Sequence, residues 1–262
     1  MRLGMIGQVS EGSFHVAKEK ELDFLEFCIN VGYDVDSFLR SVPEIKQWQK
    51  KYGVSVQSIG RWGADKHTAQ GSIIPEELTI NQDLIAAAAE LGCPNYVCGV
   101  NYVDSLSLYT NAGLAIDYLA KLLDTAEKHG VKLAVYNCRW GNWVAEPQSW
   151  ELVLGHLPEV GIKYDPSHCV YDGGDYLQET RDWGKRFYHI HLKGSLQIDG
   201  QRYDDPPAGM DQTNWGAFMA VLYAQGYSGG LSIEPHSPTW EGELLERGLD
   251  YTVKYFKRLL FR

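Results

Sequence analysis

Short apolar runs alternate with longer amphipathic stretches along the chain, which is the rhythm of repeated strand–helix units. Strands are expected at 2–7, 22–27, 54–59, 95–99, 131–137, 161–165, 186–193 and 229–234. The helix at 75–91 carries Leu78, Leu84, Ile85 and Ala88 on one side, with Pro75 suited to a first turn. That at 114–129 repeats Ile116, Leu119, Leu122, Leu123 and Ala126 at helical spacing and stops at Gly130. Further helices are expected at 214–225 and 244–260, and those after strands one, five and six should be short. Eight such units in 262 residues predict an α/β chain folded as a single (β/α)₈ barrel over 1–262, with no linker to divide it. No GxGxxG follows the first strand, which argues against an open doubly wound sheet.

Composition adds exclusions. The net charge is −10, and no basic run exists to neutralise phosphates, so nucleic acid is not an expected partner. No apolar run approaches the length of a membrane span, and the first residues lack a signal-peptide pattern, so a cytoplasmic protein is expected. The five cysteines (Cys28, Cys93, Cys98, Cys138, Cys169) are scattered and suggest neither a disulfide framework nor a zinc ribbon. The helix-covered exterior of a barrel is compatible with a homo-oligomer.

Candidate chemistry lies where the apolar runs end. Tyr136 and Asn137 close the fifth strand, Asp165 the sixth, His191 falls near the end of the seventh, and Glu234 closes the eighth. In a parallel barrel these ends share one face, so residues remote in sequence converge. Two carboxylates and an imidazole are donors suited to a divalent metal such as Mn²⁺, Mg²⁺, Co²⁺ or Zn²⁺. Singly, Asp165 before Pro166 reads equally as a turn residue, and Glu234 as a structural ion-pair member. His189 and His191 in YHIHLKG are expected on opposite faces of their strand, one of them serving packing alone. Arg61, Trp62, Glu26 and the loop residues Arg139, Trp140 and Trp143 are further candidates to line the mouth. The segment 199–211, rich in Pro and Gly, reads as an ordered loop, either part of a lid or a structural crossover.

Four segments, VKLAVYNC (131–138), GIKYDPSH (161–168), RFYHIHLKG (186–194) and GYSGGLSIEPH (226–236), resemble the xylose isomerase-like TIM-barrel superfamily. This is the sugar phosphate isomerase/epimerase group that also contains ketose 3-epimerases and apurinic endonucleases (AP endonuclease family 2). The resemblance implies a divalent metal held by Glu, Asp, His and Glu from strands five to eight, of which the last three fall on Asp165, His191 and Glu234. It places His168 next to metal or substrate, and Lys193 beside the metal histidine. The first ligand departs from the pattern: AxENC becomes AVYNC, with Tyr136 where the family has Glu. A phenol with a reference pKa of about 10 is a poor base at neutral pH. Asn137, His168 and His236 are the candidates to fill the gap.

The leading expectation is therefore a metal-dependent isomerase or epimerase of a small sugar or keto-polyol. Glu234 is the expected base, with His168 and Lys193 as catalytic partners. Tyr136, Asn137, Arg61, Trp140 and His236 are expected against substrate. Alternatives are metal-assisted dehydration or another lyase reaction, and a noncatalytic sugar-binding relative that has lost one ligand. An abasic-site nuclease is disfavoured by the missing ligands and the acidic charge. With no P-loop and no cationic cluster visible along the chain, a neutral substrate is favoured.

Overall fold

The computed structural model describes residues 1–261. Eight parallel strands close into a barrel: β1 (Arg2–Ile6), β2 (Phe24–Cys28), β3 (Ser55–Arg61), β4 (Asn95–Cys98), β5 (Lys132–Tyr136), β6 (Gly161–Tyr164), β7 (Phe187–Leu192) and β10 (Gly230–Ile233). Each begins and ends within two residues of the expected position. The ring closes where β1 pairs with β10, Arg2 opposite Gly230 and Met5 opposite Ile233. The remaining strands, β8 (Leu196–Ile198) and β9 (Gln201–Asp204), form an antiparallel hairpin outside the barrel, inside the region expected as loop.

Helices cover the barrel because each buries an apolar stripe against it. The helices α1 (Glu11–Glu19), α5 (Pro147–Leu154) and α6 (Pro166–Tyr171), after β1, β5 and β6, are short, as expected. α2 (Val35–Tyr52) has its N-terminus capped by the Asp34 carboxylate on the Ser37 amide and buries Phe38, Val42 and Ile45. α3 (Pro75–Glu90) matches its predicted span, whereas α4 (Leu108–His129) starts six residues early because Ser107 caps it. α4 ends at Gly130, whose φ of 68° places it in the left-handed region that a side chain would disfavour. α7 (Tyr176–Trp183), α8 (Trp215–Ala224) and α9 (Glu243–Lys257) complete the outer layer.

One continuous core joins the outer strand faces to the helices, with Leu25, Ile59, Leu122, Trp150, Phe218 and Phe256 all buried. All five cysteines are free. Among the described residues, no helix is long and apolar enough to cross a membrane.

Candidate active site

The strand ends meet at one mouth, above a cavity of about 320 Å³ lined in part by Trp62, Lys163, His168, His191, Lys193 and Glu234. Asp165 sits between β6 and α6 and caps that helix, its Oδ1 accepting from the Ser167 amide at 2.9 Å. Its backbone is clamped by Asn137, whose amide nitrogen donates to the Asp165 carbonyl and whose oxygen accepts from the Asp165 N–H, both at 2.8 Å. Asn137 thus positions Asp165, and its oxygen, offered in sequence as a fourth donor, is already engaged. The other carboxylate oxygen, Oδ2, is buried and turned toward the site. It lies 3.2 Å from the Lys193 ammonium and 3.4 Å from His168 Nε2.

His191 reaches the same place from β7. Its Nδ1 is 2.7 Å from Glu234 Oε2, and its Nε2 is 2.9 Å from Glu26 Oε2. Glu26 also contacts His189 Nε2 at 2.8 Å, so both histidines project to the barrel interior and meet one carboxylate. The expectation that they face apart fails for a simple reason: residues two apart in a strand share a face, and only neighbours alternate. Glu26 is fully buried, does not line the cavity, and contacts both imidazoles through one oxygen.

The electrostatics follow from dense packing of opposite charges. Burial alone would raise the Asp165 carboxyl, but Lys193, His168 and Lys163 outweigh it and hold it below the ordinary carboxylate range. Glu234 is likewise held well below that range, burial being overcome by Lys193 and His191. His168 is pushed down to about 4, chiefly by burial and against the pull of Asp165, so its imidazole is neutral at neutral pH. Burial lowers His191, yet Glu26 and Glu234 more than compensate and raise it. Lys193 is raised by Asp165 and Glu234 despite burial and stays a cation.

Tyr136 ends β5 but does not reach this group. Its ring stacks on Trp62 at 5.3 Å, and its hydroxyl donates to the Trp140 carbonyl at 2.8 Å, anchoring the loop after β5. Gly63, at φ 77°, lets that loop close, since a Cβ there would fall 2.3 Å from the Trp140 ring. Trp140 itself is half-exposed and borders the cavity, as does His236, whose Nδ1 is 2.9 Å from Asp205 Oδ2. Arg61 is not brought to the cavity. Its guanidinium is buried in a fork on Glu77, Nε at 2.6 Å and Nη2 at 2.8 Å, with Lys66 2.6 Å from the same carboxylate. Sequence reasoning missed Lys163 and Asp205. Lys163 was detectable, because it stands two residues before Asp165 and so shares its face.

The donors fit a divalent ion on three counts. Asp165, His191 and Glu234 present ligand atoms all within 4.8 Å of one another. Asp165 Oδ2 is a buried anionic oxygen turned to the site, where it meets the Lys193 ammonium at 3.2 Å. Glu26 on His191 Nε2 supplies the outer carboxylate that metal-bound imidazoles commonly have.

A closed parallel barrel with acids and imidazoles gathered at the C-terminal ends of its strands is an architecture of enzyme and binding sites alike. The xylose isomerase-like TIM barrel family matches residues 14–256, and the chain belongs to that family. The uncharacterized protein YfiH of Bacillus subtilis (strain 168) is 28% identical over 169 residues, 56% of this chain and 53% of that protein. The chain thus matches about half the length of this relative. Among solved structures, D-psicose 3-epimerase from Clostridium cellulolyticum H10 superposes with a TM-score of 0.79 at 13% identity, covering 100% of both chains. The 3-keto-D-glucoside 4-epimerase YcjR of E. coli does so with a TM-score of 0.77 at 18% identity, covering 98% of this chain and 99% of that one. At such identities the likeness establishes the fold.

Proposed function

We propose that the protein is an isomerase or epimerase of a small sugar or keto-polyol, working by proton transfer next to a carbonyl with a divalent metal. The observation that carries this reading is the convergence of Asp165, His191 and Glu234 from three strands onto one point. Epimerase neighbours of the same fold support it.

Asp165, His191 and Glu234 would hold the metal, which when bound polarises a substrate oxygen. The rest is done by the chain. Glu234 is the one carboxylate among the described residues lining the cavity, so it is the group placed to take a carbon-bound proton and to return it. Lys193 remains protonated and stabilises oxyanion character rather than acting as a base. His168, neutral, accepts from Lys193 at 3.3 Å and is available to a substrate hydroxyl. Trp62 and Trp140 offer apolar walls to a sugar ring.

The test is solvent deuterium incorporation into a panel of ketoses and keto-polyols by metal-reconstituted protein. Exchange at one carbon is expected, and its absence across the panel would remove this reading. A metal-assisted dehydratase is the second reading, favoured by Tyr136, which leaves no second carboxylate on β5. Product mass separates the two, because an isomerase does not lose water.

A further inference from the structure

The cavity is richer in positive charge than the sequence suggested. Among the described residues its lining holds three basic side chains, Lys163, Lys193 and Arg202, against the single carboxylate Glu234. Two of the cations have acidic partners: Lys193 has Asp165, and Arg202 has Asp205. Lys163 has none within ion-pair distance among the described residues.

Lys163 lies on β6 between Tyr136 of β5 and His189 of β7 in the barrel register, with 1% of its surface exposed. Its ammonium stands 6.0 Å from the Trp62 ring, a weak cation–π contact, and borders the cavity. A buried ammonium is costly unless an anion or hydrogen-bond acceptor answers it. The chain sets acidic groups directly on the neighbouring cations, whereas Lys163 meets Asp165 and Glu234 only beyond ion-pair distance and borders the space a substrate would fill.

We infer that Lys163 is a substrate-binding residue for an anionic oxygen group, so that the preferred substrate is a sugar acid or a phosphorylated sugar rather than a neutral one. The inference deepens the proposed function by naming the substrate class of the same cavity. The bland alternative is that Lys163 merely balances the charge of Glu26, Asp165 and Glu234, and it makes a different prediction. On that alternative, any preference for anions would come from the other cations of the lining and would not depend on the residue at position 163.

Calorimetric binding to the full-length protein, with and without Mn²⁺, decides between them. The ligands are aldonates, uronates, ketose phosphates and matched neutral ketoses. At least one anionic class should bind about tenfold or more tightly than its neutral match, the size expected of a charge-assisted contact. Carboxylates and phosphates as separate arms show which group the site takes. Lys163→Met should abolish that preference, and Lys163→Arg should retain part of it. Equal binding of charged and neutral ligands by wild type would overturn the inference, as would a preference that survives in Lys163→Met. Should the methionine variant fail to fold, checked by circular dichroism, the wild-type comparison and the arginine variant still decide. Binding without deuterium exchange would sustain the anion site while removing the isomerase reading. Exchange on neutral ketoses alone would do the reverse.

Discussion

Glu26 Oε2 lies 2.9 Å from His191 Nε2, and that contact leaves the other imidazole nitrogen, Nδ1, toward Glu234. A carboxylate behind a ligand histidine fixes both ring orientation and tautomer. Replacing Glu26 with Gln should therefore weaken Mn²⁺ binding by about tenfold to a hundredfold, read by calorimetric titration of the folded variant. Unchanged affinity would assign Glu26 to packing with His189 alone.

The same contacts predict how metal loading depends on pH. With Glu26 and Glu234 on its two nitrogens, His191 holds its proton above the ordinary imidazole value, and a metal must displace that proton. Affinity should rise with pH below the raised pKa and level off above it. Titrations in buffers of differing ionisation enthalpy should register release of about one proton. A flat profile through the range below that pKa would contradict the assignment of His191.

The Arg61–Glu77–Lys66 cluster is expected to serve stability. Glu77→Ala strands two buried cations and should cost roughly 3–5 kcal/mol, measured by urea denaturation. Burial raises the Glu77 carboxyl, but Arg61 and Lys66 outweigh it, so its folded pKa is depressed. Its contribution is thus complete above the unfolded carboxylate value of about 4.3 and fades as pH falls through the folded one. Wild type should lose stability in acid more steeply than Glu77→Gln.

Tyr136→Phe removes the hydroxyl that holds the Trp140 carbonyl and should cost about 1 kcal/mol in stability. Mn²⁺ affinity should change by less than about twofold, since the phenol faces the loop and not the donors. A large drop in affinity would mean that Tyr136 turns inward as a ligand.

The barrel was legible because its strands are buried apolar runs bounded by polar turns, and even the short helices α1, α5 and α6 were anticipated. The hairpin β8–β9 was not, being short and exposed, although its turn residues Asp199 and Gly200, at φ 52° and 72°, carry the Asp-Gly hairpin signal. That Asp165, His191 and Glu234 come together was legible from their positions at strand ends. What those positions cannot convey is competition between partners. Arg61 stands at a strand end like the others, but Glu77, sixteen residues on, captures its guanidinium. Tyr136 likewise follows the pattern of a site residue until Trp140 claims its hydroxyl. Lys163 looked like one letter of a motif, and its place in the cavity emerges once β6 is set beside Trp62.

The central claim is that Asp165, His191 and Glu234, at the ends of β6, β7 and β10, form one ion site, and calorimetric Mn²⁺ binding to the purified protein tests it most directly. Wild type should bind one equivalent. His191→Ala should bind none, and neither should Asp165→Asn, a variant that keeps the cap on α6. Equal binding by wild type and both variants, or no binding by any of them, would contradict the claim.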